Sequence, residues 1–320
     1  MKQSMMISHR PCAQWLGLEV TRESLSLFLS QVGPDSTCPF VITADLGGPL
    51  NLSAFSQARP DRYIDVGVAE QCLVATAAGA STFGTPAIAA TFASFALRGV
   101  EAFQALVAHD DRHVILVGSH AGLATGPNGP SHQCPDDLGV FSSIPRTVCF
   151  SPCDTAQAIR CLEFACSHHG HYYLRLARWA PPVKAKSERS VLTDEWTRTY
   201  QPMRGAPSVA ILCHGVAYGI AIEVVDGLTD RGVCAMAIHS SLFPFDLHQR
   251  LPDCVETVVS IEDHLADSGL GRLVNIAYGD HKRVIALGAT WPLGSDDANA
   301  LYAAAGLTAS HILELVDRPV

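Results

Sequence analysis

Short apolar runs alternate with stretches of helical spacing along the first 180 residues. Segments 41–45 and 63–66 are β-rich, and 69–80 is an Ala-rich run of helical length. A strand at 88–92, a helix at 97–108 and a strand at 114–118 follow. Beyond a polar, glycine-rich stretch at 119–134, the pattern predicts a strand at 147–151, a helix at 154–169 and a strand at 172–176. Strands joined by helical crossovers make a parallel sheet. Asp154 stands where the helix N-cap belongs and Gly170 where the helix would end, with Ala158, Leu162, Ala165 and Cys166 on its inner face.

The rhythm stops at 181–207, where Pro181, Pro182, Pro202 and Pro207 lie among mixed charges. It resumes with a strand at 209–213 and a helix at 218–228 that carries Ala221, Val224, Val225 and Leu228 on one face. Strands at 233–238, 255–261 and 284–287 and helices near 271–277 and 296–305 complete it. The expected class is α/β with two doubly wound domains: a mostly parallel one over 1–185, a linker over 186–207 and a smaller one over 208–320.

Composition narrows the function classes. Lys and Arg number 22 against 31 Asp and Glu, a net charge of −9 with no basic run, which argues against nucleic acid or an anionic membrane as partner. With 48% hydrophobic and 17% charged residues, the chain has the makings of well-filled cores. The Ala-rich region 75–97 is broken by Gly79, Gly84 and Pro86, so it is no membrane span, and no secretory signal is visible. The expected location is the cytoplasm. There the eleven cysteines, none in a C-x-x-C, read as buried thiols. Cys149, Cys153, Cys161 and Cys166 lie near His168, His169 and His171, but the histidines are expected in the last turn of helix 154–169, where they suit its dipole, and no zinc site is expected.

Three segments could carry chemistry. SHAGLATGPNGPSHQ at 119–133 follows an apolar strand and holds His120 and His132 twelve residues apart among glycines. A loop after a parallel strand is where α/β sheets bind ligands, and an imidazole can donate to or accept from substrate hydroxyls. RYIDVGVAEQ at 62–71 puts Glu70 in the first turn of the Ala-rich helix. A carboxylate there gains a few tenths to ~1 kcal/mol from the helix dipole, but after an apolar strand it is also expected to be buried, and a buried carboxylate needs a partner. TFASF at 91–95 spaces Phe92 and Phe95 by three, which simple core packing would also produce.

These three segments, in this order and spacing, resemble the C-terminal half of a transketolase. Thr21, Arg22 and ADLGG at 44–48 are similar to the start of that half, and SVAILCHG, SSLFPFD, VVSIEDH and GLG to the family's C-terminal domain. The resemblance implies a thiamine diphosphate cofactor. Glu70 falls on the carboxylate that shares a proton with the aminopyrimidine, Phe92 and Phe95 on residues packed around that ring, and Asp45 on a residue beside the cofactor at a subunit interface. His120 and His132 fall on substrate-contacting histidines, and Arg22 and Arg178 on arginines that grip a sugar phosphate. Two positions depart: Asn128 replaces an Asp that reads a substrate hydroxyl, and Arg98 a Tyr beside the pyrimidine.

No GDG motif occurs, so the resemblance implies a separate diphosphate-binding subunit that carries GDG and the Mg²⁺ ligands, in an α2β2 assembly, with no metal ligands on this chain. The expected activity is transfer of a two-carbon ketol unit from a ketose, one substrate being a sugar phosphate or a similar anion such as a sulfonate. The rival readings are a β-subunit of the 2-oxoacid dehydrogenase type, or a hybrid serving a lipoyl or carrier arm, and a non-catalytic assembly partner.

Overall fold

The computed structural model describes residues 21–33, 38–180, 190–192, 194–244, 247, 251–291 and 294–318. In chain order the strands are β1 (Phe40–Thr43), β2 (Tyr63–Asp65), β3 (Ala87–Phe92), β4 (Val114–Ser119), β5 (Val148–Phe150) and β6 (His171–Arg175). There follow β7 (Ser190–Leu192), β8 (Thr197–Tyr200), β9 (Val209–Cys213), β10 (Ala235–Ser240), β11 (Leu242–Phe243), β12 (Thr257–Ile261) and β13 (Arg283–Leu287). Among the described residues they form a seven-stranded sheet, β11-β5-β6-β4-β3-β1-β2, and a six-stranded one, β13-β12-β9-β10-β8-β7. Strands β1 to β6 pair in parallel, as do β9, β10, β12 and β13. The expected α/β class with two parallel-dominated sheets is what the chain adopts.

The central strands β3 and β4 are buried at every position. They are runs of small and β-branched residues because helices cover both faces of such a sheet. Helix Glu70–Ser81 lays Leu73, Val74, Ala77 and Ala78 on it, and Asp154 Oδ1 caps helix Thr155–Ser167 by accepting from Gln157 N–H at 2.8 Å.

Three local expectations are corrected. The histidines do not share the last turn of that helix: it ends at Ser167, His168 is its C-cap and stacks on Phe164, and His171 opens β6. The stretch 97–108 is no continuous helix but a 3₁₀ turn Leu97–Gly99, a short α segment Val100–Ala102 and a π-helix Phe103–Ala108. Within 186–207, read as linker, β7 and β8 pair with each other and β8 with β10, all antiparallel. Thr197 to Tyr200 is β-prone, but four residues among prolines and charges give too short a signal to read as a strand.

The carboxyl ends of the parallel strands define the working edge. Asp45 follows β1, Glu70 follows β2, Phe92 ends β3, His120 follows β4 and Arg178 follows β6. The second sheet ends in His214 after β9 and in Glu262, Asp263 and His264 after β12. β11 crosses over to pair with β5, Leu242 opposite Phe150. One apolar cluster runs from Leu73 and Phe103 to Phe243, Val258 and Leu270, so the two sheets share a core.

Candidate active site

Glu70 opens its helix with a side chain only 7% exposed, and Arg98 Nη1 lies 3.4 Å from its Oε1. Arg98 is the partner that a buried carboxylate at this position requires, and its guanidinium also covers the Phe95 ring at 4.9 Å. Gly99 makes room for this arrangement: a Cβ there would come 2.8 Å from Val74 Cγ2 and 3.2 Å from Glu70 O.

From Phe95 the contacts continue inward. Its ring lies 5.4 Å from Phe92 and 5.2 Å from His132, and Phe92 packs on His120 at 3.9 Å. His120 is 4% exposed and holds φ +57°. Burial first, and then the nearby cations Arg178 and Arg22, push its pKa down to about 3, so the ring is neutral at pH 7. Nδ1 engages Ser119 Oγ at 3.0 Å; Nε2 makes no hydrogen bond among the described residues.

Arg22 and Arg178 converge on the same place. Thr21 Oγ1 accepts from Ala177 N–H at 2.7 Å, and Arg22 N–H donates to Ala177 O at 3.1 Å, which fastens the start of the described chain beside Arg178. Arg22 Nε is buried and has no hydrogen-bond partner among the described residues. Arg178 Nη1 donates to Asn128 Oδ1 at 2.7 Å and to Thr125 O at 3.2 Å. Asp45 stands apart: it is exposed, with φ +58°, and its N–H donates to Asp65 Oδ1 at 2.9 Å.

Glu70, Arg98, Phe95, Phe92, His132 and His120 are thus joined by successive contacts, Arg22 and Arg178 lie close enough to His120 to lower its pKa, and Arg178 holds Asn128. The donor set fits an aminopyrimidine. A buried carboxylate stands at the end of a contact chain with two aromatic rings, and Ser94 Oγ, from the residue before Phe95, is buried without a hydrogen-bond partner among the described residues. Among those residues no group of three or more His, Cys, Asp or Glu is arranged to hold a metal ion. The cysteines described are free thiols, and burial raises Cys149, Cys153, Cys161 and Cys166 well above the ordinary thiol range. No described helix is long and apolar enough to cross a membrane.

Sequence reasoning missed a buried charged network behind the cleft. Arg175 is clasped by Asp137, Nε to Oδ1 at 3.0 Å, and by Asp263, Nη1 to Oδ1 at 2.6 Å. Tyr173 Oη donates to Asp137 at 2.7 Å and Tyr302 Oη to Asp263 at 3.0 Å. Glu262 accepts from Leu270 and Gly271 N–H, at the start of helix Leu270–Tyr278, and pairs with His214 Nε2 at 3.1 Å. The available signal was the charged triplet Glu262, Asp263, His264 placed directly after an apolar strand.

Residues 20–182 match the family described as "Transketolase, pyrimidine binding domain". The chain is 31% identical over 245 residues to "6-deoxy-6-sulfo-D-fructose transketolase subunit SqwH" of Clostridium sp. (strain MSTE9), covering 75% of this chain and 74% of that protein. It is 26% identical over 303 residues to "Transketolase-like protein 2" of Mus musculus, covering 92% of this chain but 48% of that protein, so it spans about half the mouse protein's length. Its fold superimposes on a structure titled "Split gene transketolase, inactive beta4 tetramer" with a TM-score of 0.76 and 30% identity, covering 93% of this chain and 96% of that one. A domain match over more than half its residues, together with relatives of this likeness, places the chain in the transketolase family.

Proposed function

We propose that this chain is the pyrimidine-site subunit of a two-component transketolase, active when joined to a diphosphate-binding subunit that carries the GDG motif and the Mg²⁺ ligands. Thiamine diphosphate, when bound, supplies the carbanion chemistry that cleaves a ketose beside its carbonyl and passes two carbons to an aldehyde. The observation that carries this reading is the unbroken run of side-chain contacts from the buried Glu70 to His120, whose pKa the Arg22 and Arg178 guanidinium groups help to lower.

In this reading Glu70 holds or releases a proton at the aminopyrimidine, and Phe92 and Phe95 flank that ring, with Arg98 over Phe95; the exposed Asp45, apart from them, belongs to the subunit boundary. His120, neutral at pH 7, serves substrate hydroxyls without adding charge of its own, and His132 meets them from beside Phe92 and Phe95. Arg22 and Arg178 receive a terminal phosphate or sulfonate, and binding energy gained there orients the distant carbonyl. The sulfo-sugar in the clostridial relative's name supports an anionic substrate, and the inactive β4 assembly of the structural neighbour supports a need for a second subunit.

The test mixes the purified chain with a GDG-bearing subunit, thiamine diphosphate, Mg²⁺ and either a phosphorylated or a sulfonated ketose. Ketol transfer is expected from the mixture and from neither subunit alone, with an α2β2 mass. Glu70→Gln should assemble normally and lose turnover by at least the ~10²–10⁴ that one acid–base group contributes. Full transfer by this chain alone, or by the Glu70→Gln complex, would refute the reading.

A further inference from the structure

The loop that carries His120, Asn128 and His132 meets the second sheet's domain at its base and at mid-loop. At its base, Gly122 N–H donates to Cys134 O at 2.9 Å and closes the loop. The Arg175–Asp263 pair lies directly against that closure: a Cβ added at Gly122 would fall on the Asp263 carboxylate and 2.7 Å from Arg175 Nη2. At mid-loop Ser295 Oγ donates to Pro127 O at 2.9 Å, and next to the closure Gln133 Nε2 donates to Gly294 O at 2.9 Å.

The loop's own backbone is poorly suited to hold one shape. Gly122, Gly126 and Gly129 all have positive φ and gain many alternatives when released, while His120 at φ +57° sits where a side chain is disfavoured. A conformation of this kind persists only when surrounding structure over-determines it. Asp263, itself held by Tyr302 and by Arg175, is the fixed body at the loop's base.

We propose that Asp263 is a positioning residue, which through Arg175 and Gly122 sets the conformation of 120–134 and hence the substrate specificity of the cleft. This rests on the reading of the cleft given above, since it assumes that the loop meets the substrate. The C-terminal domain would then choose substrates without touching them.

The test is hydrogen exchange followed by mass spectrometry on the whole chain, free of cofactor and substrate. In Asp263→Asn, which keeps the shape and an acceptor for Tyr302 but loses the charge facing Arg175, peptides over 120–134 should exchange about tenfold faster, with β4 and β9 unchanged. Unchanged loop exchange, or equal acceleration of loop and strands, would overturn the proposal. If Asp263→Asn does not fold, Tyr302→Phe, which removes only the hydroxyl that holds Asp263 Oδ2, decides: acceleration of about threefold confined to 120–134 supports the positioning role, and none overturns it. No substrate enters this measurement, so a wild-type pair that fails to transfer ketol units while the exchange pattern holds would defeat the functional reading and leave the positioning intact.

Discussion

Arg175 and Arg178 lie three positions apart after the same apolar run. Arg175 ends β6 with its guanidinium enclosed by Asp137 and Asp263, whereas Arg178 is half-buried and reaches Asn128 at the cleft. Removing Arg175 would strand two buried carboxylates, a change that costs ~3–5 kcal/mol in comparable pairs. Removing Arg178 should spare the sheets and act at the substrate and on its two hydrogen bonds to the loop, at Asn128 and Thr125. In the assembled enzyme, Arg178→Ala should raise the KM of an anionic ketose by the equivalent of ~1.5–3 kcal/mol, the worth of a charge-assisted hydrogen bond, and barely move that of an uncharged analogue. Equal changes for both would contradict the assigned role. The sequence distinguished Arg178 only through family resemblance; that Arg175 is structural depends on acids at 137 and 263, which periodicity cannot bring together.

Glycines separate local propensity from tertiary demand within single elements. Gly79 lies in helix Glu70–Ser81 with nothing near a prospective Cβ, whereas a Cβ at Gly118 in β4 would come 2.9 Å from Cε2 of the Tyr173 ring. Gly79→Ala should therefore stabilise the chain by ~0.5–1 kcal/mol, and Gly118→Ala should destabilise it by ~1–3 kcal/mol through overpacking. Denaturant midpoints of the two variants check both signs. The same division explains what was legible. The central strands and helix Glu70–Ser81 declared themselves through long apolar runs. The break at 97–99 did not, because the one local sign of it is Gly99, and the close approach of its backbone to Val74 and Glu70 is made across the fold. Helix Ser24–Gln31 was missed for another reason: SLSLFLSQ alternates like a strand, yet Ser24, Leu25, Phe28 and Leu29 are buried at helical spacing.

Across the whole molecule, several histidines are folded in as neutral rings. Burial lowers the pKa of His113, His120, His239 and His264, for His120 to about 3 from 6.5. The unfolded chain takes up these protons near pH 6.5 and the folded chain does not. For His120 the stability this permits is complete above pH 6.5 and is lost as the pH falls toward 3, at ~1.4 kcal/mol per pH unit, and His113, His239 and His264 add losses of the same sign below pH 6.5. Urea midpoints should drop steeply between pH 7.5 and 5; a flat profile would contradict the burial of uncharged rings. His120 and His132 were legible as a pair because a glycine-rich loop after a strand announces itself. The shared core and the Asp263 anchor were not, since both depend on how two sheets face each other. His120 also holds a backbone angle that glycine or asparagine would adopt at lower cost. On the role proposed for it, position 120 gives up folding energy for chemistry. A descendant relieved of its reaction should drift to Gly or Asn there, so that one residue sorts working subunits from retired ones before any assay is run.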